Sequence, residues 1–161
     1  MESKIELFQI ISSLTEEDQS VVSGLHETAI ALGYAPKISS AGKKPDDWKC
    51  EYTGGKPKRV LYTLRITGGQ YSIRAKLFHL TEYTEDLESL SERCKASLLS
   101  ASRNCDGRNS NCAGPVSFKV GDQSYSKCRH FFIFKDIKPE DMDGIRRLLQ
   151  NEAKCYNMQN G

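Results

Sequence analysis

Apolar residues recur at helical spacing near the start of the chain. Over residues 16–33, Val22, Leu25, Ala29 and Leu32 fall on one stripe, with His26 and the acidic residues on its margins. Thr15, followed three residues on by Asp18, reads as a capping box with Asp in place of the usual Glu, and Gly33 is a natural stop. A shorter helix is predicted over 4–13. From Ala35 to Asp47 the composition turns to Pro, Ser, Gly and Lys, which predicts a loop.

The centre of the chain changes period. Trp48 to Tyr52 begins a strand, Gly54-Gly55-Lys56-Pro57 breaks it, and two longer runs, Arg59 to Thr67 and Gln70 to Leu80, flank Gly68-Gly69 as a two-residue hairpin. Pairing Thr67 with Gln70 sets Ile66 opposite Tyr71, Leu64 opposite Ile73, Tyr62 opposite Ala75 and Val60 opposite Leu77, one continuous apolar face. The other face then carries Arg59, Leu61, Thr63 and Arg65 beside Phe78, Lys76, Arg74 and Ser72. Its four cations, Arg59, Arg65, Arg74 and Lys76, admit two readings: the wet side of an antiparallel sheet, or a platform for a small anionic ligand such as a phosphate, with Phe78 as a stacking edge.

Residues 84–100 are predicted as a third helix with Leu87, Leu90, Cys94 and Leu98 on its stripe, making Cys94 a core position. A cysteine-rich loop over 101–115 follows, then a second hairpin, Val116 to Val120 and Gln123 to Phe134, turning at Gly121-Asp122. Pro139 opens a final helix with an amphipathic pattern at Met142, Ile145, Leu148, Leu149 and Glu152. Adjacent hairpins flanked by helices, without βαβ alternation, predict a single α+β domain: an antiparallel sheet of about five strands covered on one face by helices.

Composition narrows the setting. The 161 residues suit one domain, and 38% hydrophobic with 27% charged residues is globular usage. No apolar run approaches a membrane span, and Met1 to Leu14 is acidic and amphipathic rather than leader-like, so a cytoplasmic location is expected. A net charge of +2 is too small to imply nucleic acid or a membrane as partner. Nucleic acid is further disfavoured by the lack of an aromatic-rich ribonucleoprotein signature.

A reducing cytosol gives the six cysteines a choice between buried small hydrophobes, metal ligands and reactive thiols. Cys94, Cys105, Cys112 and Cys128 are spaced by ten, six and fifteen residues, with His130 two beyond the last. If metal is bound, zinc at Cys105, Cys112, Cys128 and His130 is the expected set, with Cys94 replacing His130 as a variant. Cys128 and His130, two apart on a predicted strand, would share a face, and the ion would hold the loop against the sheet. No Cys-x2-Cys knuckle supports this set. Alternatively Cys128, between Lys127 and Arg129, is a catalytic candidate as an activated thiol, with His130 as its partner. Cys50, Trp48, Tyr52, Tyr62 and Tyr71 read as core, and Cys155 as a bystander. Phosphate loops, dinucleotide fingerprints, zinc-protease helices and serine elbows are absent from the sequence. The acidic pairs Glu16-Glu17, Glu85-Asp86 and Glu140-Asp141 fall at predicted helix starts, where they complement the dipole.

Trp48-Lys49-x-x-Tyr52, then Lys58-Arg59-Val60-Leu61-Tyr62-Thr63-Leu64, then Lys76-Leu77-Phe78 resemble the strand triplet of small bacterial α+β proteins of uncharacterised function. Phe132-Ile133-Phe134, Glu140-Asp141 and Ile145-Arg146-Arg147-Leu148-Leu149 are similar to their last strand and helix. The resemblance covers about half the chain and implies a compact fold with no established activity. The expected function is a cytosolic binding module for a small anionic ligand or protein partner, stabilised by zinc if the thiols bind it. The alternative is a thiol-dependent enzyme or redox sensor using Cys128.

Overall fold

The computed structural model describes residues 7–42, 44, 47–104, 114–130, 132–135 and 137–160. The expected α+β architecture is found: a five-stranded antiparallel sheet in the order β1-β2-β3-β4-β7, helices packed on it, and a separate β5-β6 hairpin. Its strands are β1 (Ala35–Ser40), β2 (Trp48–Gly54), β3 (Arg59–Thr67), β4 (Gln70–Ala75), β5 (Val116–Val120), β6 (Gln123–Lys127) and β7 (Phe132–Phe134). The helices are α1 (Leu7–Ile10), α2 (Glu16–Ala31), α3 (Glu92–Ala101) and α4 (Met142–Asn160), with 3-10 segments at Leu80–Ser89 and Pro139–Asp141.

The β3-β4 hairpin follows from its turn. Gly68 and Gly69 both take positive φ, +57° and +75°, the backbone that a two-residue reversal requires. They set Thr67 against Gln70, Ile66 against Tyr71, Leu64 against Ile73 and Tyr62 against Ala75, the expected register, but the ladder ends there and the expected pairing of Val60 with Leu77 on the apolar face is not formed. All of Tyr62, Leu64, Ile66, Tyr71, Ile73 and Ala75 are buried, joined across the sheet by Cys50 and Tyr52 of β2 and Phe132 and Phe134 of β7. Val22, Leu25 and Ala29 of α2 and Ile145, Leu148, Leu149 and Ala153 of α4 belong to the same core. The Thr15 half of the expected capping box is formed at the start of α2, the Asp18 amide donating to Thr15 Oγ1 at 3.2 Å.

Four local expectations are corrected. Residues 35–40 are a strand, not part of a loop: β1 is an edge strand pairing Ile38 with Cys50, and an edge tolerates Pro36 because one side of its backbone needs no partner. The helix expected over 84–100 is broken. Leu90 is extended (ψ 153°), and Ser91 caps α3 by accepting from the Cys94 amide at 3.2 Å, so a local cap wins over continued helix. The run 123–134 is two strands in two sheets, since β6 pairs with β5 while β7 pairs with β4. Helix 4–13 is described only from Leu7, as the single turn Leu7–Ile10.

A bulge separates two sides of the sheet. Tyr52 pairs with Tyr62 but Thr53 pairs with Val60, so Leu61 is an extra residue and alternation in β3 slips by one. Leu61 is buried, and Arg59 is redirected to α4, where its Nη1 donates to Glu152 Oε2 at 2.8 Å. Glu152 is fully buried and accepts three further hydrogen bonds, each at 2.8 Å. The His79 amide and the Tyr83 hydroxyl donate to Oε1, and His79 Nδ1 to Oε2. A carboxylate only accepts, so the imidazole carries its proton on Nδ1. The Arg59 guanidinium also stacks on Tyr156 at 3.8 Å from the ring centroid. This ion pair clasps β3, α4 and the 3-10 segment Leu80–Ser89 together.

Candidate functional site

On the side of the sheet away from the core, β2, β3 and β4 carry a cleft of about 300 Å³ lined by Lys49, Glu51, Val60, Thr63, Arg65, Arg74, Lys76 and His130. The ladders dictate who meets whom. Lys49 lies directly across from Arg65, Glu51 across from Thr63, and Thr63 across from Arg74, so the Thr63 hydroxyl stands in the middle of the cationic residues. Lys76 extends the β4 row, its amide still bonded to the Leu61 carbonyl at 2.9 Å. The bulge at Leu61 places Val60 in this cleft in the position that unbroken alternation would have given to Leu61.

The site is strongly one-signed. Among the lining residues Glu51 is the sole carboxylate, and it pairs with Lys49 at 3.2 Å. Arg65 reaches the Ala41 carbonyl at 3.5 Å. Burial, then Arg65 and Arg103, hold the Arg74 pKa below the usual arginine value, and burial, then Lys76 and Arg129, do the same to His130. Each of these shifts records a positive charge disfavoured by its surroundings. Beside the cleft the Phe78 ring lies 5.5 Å from the Arg129 guanidinium and 5.6 Å from that of Arg59, and meets the His130 ring at 5.0 Å, nearly perpendicular.

Of the four residues expected to bind an anion, Arg65, Arg74 and Lys76 come together and Arg59 does not. Lys49 was missed, although Trp48, Cys50 and Tyr52 alternate with it and Glu51, which assigns both to the outer face. His130, expected as a metal ligand or as the partner of a reactive Cys128, lines the cleft.

Cys105 and Cys112 lie outside the described residues. Cys94 is buried in α3 as a core position, and Cys50 is fully buried with its thiol pushed up to about 11, chiefly by burial. Cys128 and His130 lie beyond the end of β6, so alternation along a strand does not place them on one face. Cys128 is half-buried and its amide donates to the Arg103 carbonyl at 2.7 Å. Among the described residues no three His, Cys, Asp or Glu side chains converge as metal ligands would. Cys155 sits beside Glu152, and burial and that carboxylate raise its pKa.

No helix among the described residues is long and apolar enough to cross a membrane. No family model, curated protein or solved structure matches the chain.

Proposed function

We propose that the protein is a binding module whose outer sheet face takes a small phosphate-type anion, with Arg65, Arg74 and Lys76 supplying charge and Thr63 a central hydroxyl. The observation that carries this is the direct opposition of Lys49 and Arg65 on paired strands, with Arg74 on the next rung. Like charges facing each other across a ladder cost stability, and an anion between them converts that cost into attraction. Guanidinium groups suit this role because their forked donors match phosphate oxygens in pairs. A half-buried cleft strengthens the effect, since charges there are screened less than at an open surface.

A binding module is favoured over a thiol enzyme by the surroundings of Cys128. The imidazole that such chemistry would need, His130, packs against Phe78, and the Cys128 backbone is tied to Arg103.

Calorimetric titration with orthophosphate at matched ionic strength tests the proposal. Wild-type protein is expected to bind, with affinity falling at least tenfold in Arg65→Gln. Absence of binding in the wild type, or equal affinity in the two proteins, would refute it.

A further inference from the structure

Resting on that anion reading, we propose that the ligand carries two phosphoryl groups joined as a diphosphate. The first argument is charge. Lys49 is engaged by Glu51, while Arg65 and Lys76 have no carboxylate partner among the described residues, and Arg74 stands between them. Setting Arg74 aside, two positive charges at the ends of the row still call for negative charge. One phosphoryl group carries about −1.5 to −2 near neutral pH, enough in total for two cations, so the case for two groups lies in where that charge must sit. A single phosphate at one end leaves the other cation unanswered.

The second argument is shape. Arg65 pairs with Ser72, and Lys76 lies four residues farther along the same extended run, with Arg74 midway. At about 3.3 Å per residue the row spans roughly 13 Å between backbone attachments, and long flexible side chains shorten that distance by leaning inward. The cations therefore address an elongated anion lying along β4 rather than one compact point. The volume of about 300 Å³ is at the small end for ligand pockets, which favours phosphoryl groups linked to each other over two separated by an organic body. Thr63, at the middle of the row, can donate to the bridging region while Arg65 and Lys76 hold the two ends. A free diphosphate and the diphosphate of a larger organic molecule share this chemistry.

Titrations of the full chain with orthophosphate, pyrophosphate and adenosine diphosphate, at one ionic strength and pH, read the proposal directly. Pyrophosphate is expected to bind at least tenfold more tightly than orthophosphate. Lys76→Gln is expected to weaken pyrophosphate binding by a larger factor than orthophosphate binding, removing most of that advantage. Adenosine diphosphate binding as tightly as pyrophosphate supports the proposal with an organic source. Weaker binding by the nucleotide, with the pyrophosphate advantage retained, supports it with the free diphosphate. Equal affinity for orthophosphate and pyrophosphate overturns the diphosphate assignment and leaves the simpler anion site standing. No binding of any of the three overturns both. The comparison of ligands uses wild-type protein alone, so it decides the matter even if the variant folds poorly.

Discussion

Replacing Glu152 with Gln is the most instructive single change outside the cleft. The carboxylate is fully buried, and four donors converge on it: Arg59 Nη1, the His79 amide, His79 Nδ1 and the Tyr83 hydroxyl. Glutamine has nearly the same shape but one acceptor oxygen and one NH2 donor. With its nitrogen in place of Oε1 it faces the His79 backbone N–H, which cannot become an acceptor. With its nitrogen in place of Oε2 it faces the Arg59 guanidinium, which cannot either. Both orientations set donor against donor and leave the Arg59 charge, only 7% exposed, without a counterion. Removing one partner from a buried ion pair costs about 3–5 kcal/mol. For a domain of this size that is a fall of roughly 6–20 °C in Tm. Urea and thermal unfolding of Glu152→Gln and wild type measure it. A loss below about 1 kcal/mol would refute the reasoning, because it would mean that the cluster is solvated or the arginine free to leave. Adding Arg59→Met to the variant is expected to recover only part of the loss, since the His79 amide and Tyr83 hydroxyl still lack their acceptor.

Three further perturbations test the packing. Tyr62 buries a hydroxyl that finds no hydrogen-bond partner among the described residues, so Tyr62→Phe is expected to stabilise the protein by about 1 kcal/mol, and a loss of similar size in chemical denaturation would contradict this. A Cβ on Gly54 would lie 2.8 Å from the Gly33 carbonyl oxygen and 3.1 Å from the Tyr34 Cα, both backbone atoms, so Gly54→Ala should cost about 1–3 kcal/mol; a neutral result in the same assay would show that β1 and β2 can separate there. Cys50 keeps its proton in the folded state up to about 11, against an ordinary 9.0, whereas the unfolded chain loses it earlier. The folded state then binds more protons between these values, so stability should fall as pH rises from about 9 to about 11, and Cys50→Ala should shallow that fall in a pH series of unfolding curves.

The sequence carried the hairpin because both determinants were local. Two adjacent glycines define the turn, and only one register lines Leu64 with Ile73 and Ile66 with Tyr71. Arg65, Arg74 and Lys76 follow from that register and were legible for the same reason. Arg59 was not. Its displacement depends on a bulge opposite Tyr52 and Thr53, and nothing in the unbroken alternation of Arg59, Leu61, Thr63 and Arg65 announces an extra residue. Glu152 could be placed on the apolar stripe of α4 from spacing alone, but its partners come from β3 and the 3-10 segment, which only tertiary packing brings together. The break after Lys127 was hidden because Gln123 to Phe134 keeps strand-like composition through a turn at Arg129 and His130. β1 was obscured by Pro36 and the serines, which an edge position accepts.

The central claim is that the cationic outer face of β2, β3 and β4 holds a small anion. An amide-resolved NMR titration with orthophosphate at constant ionic strength tests it most directly. The account predicts saturable shifts concentrated at Lys49, Thr63, Arg65, Arg74, Lys76 and His130, with the β5-β6 hairpin and the exposed side of α2 unmoved. Shifts scattered evenly over surface lysines and arginines, or none that saturate, would contradict it.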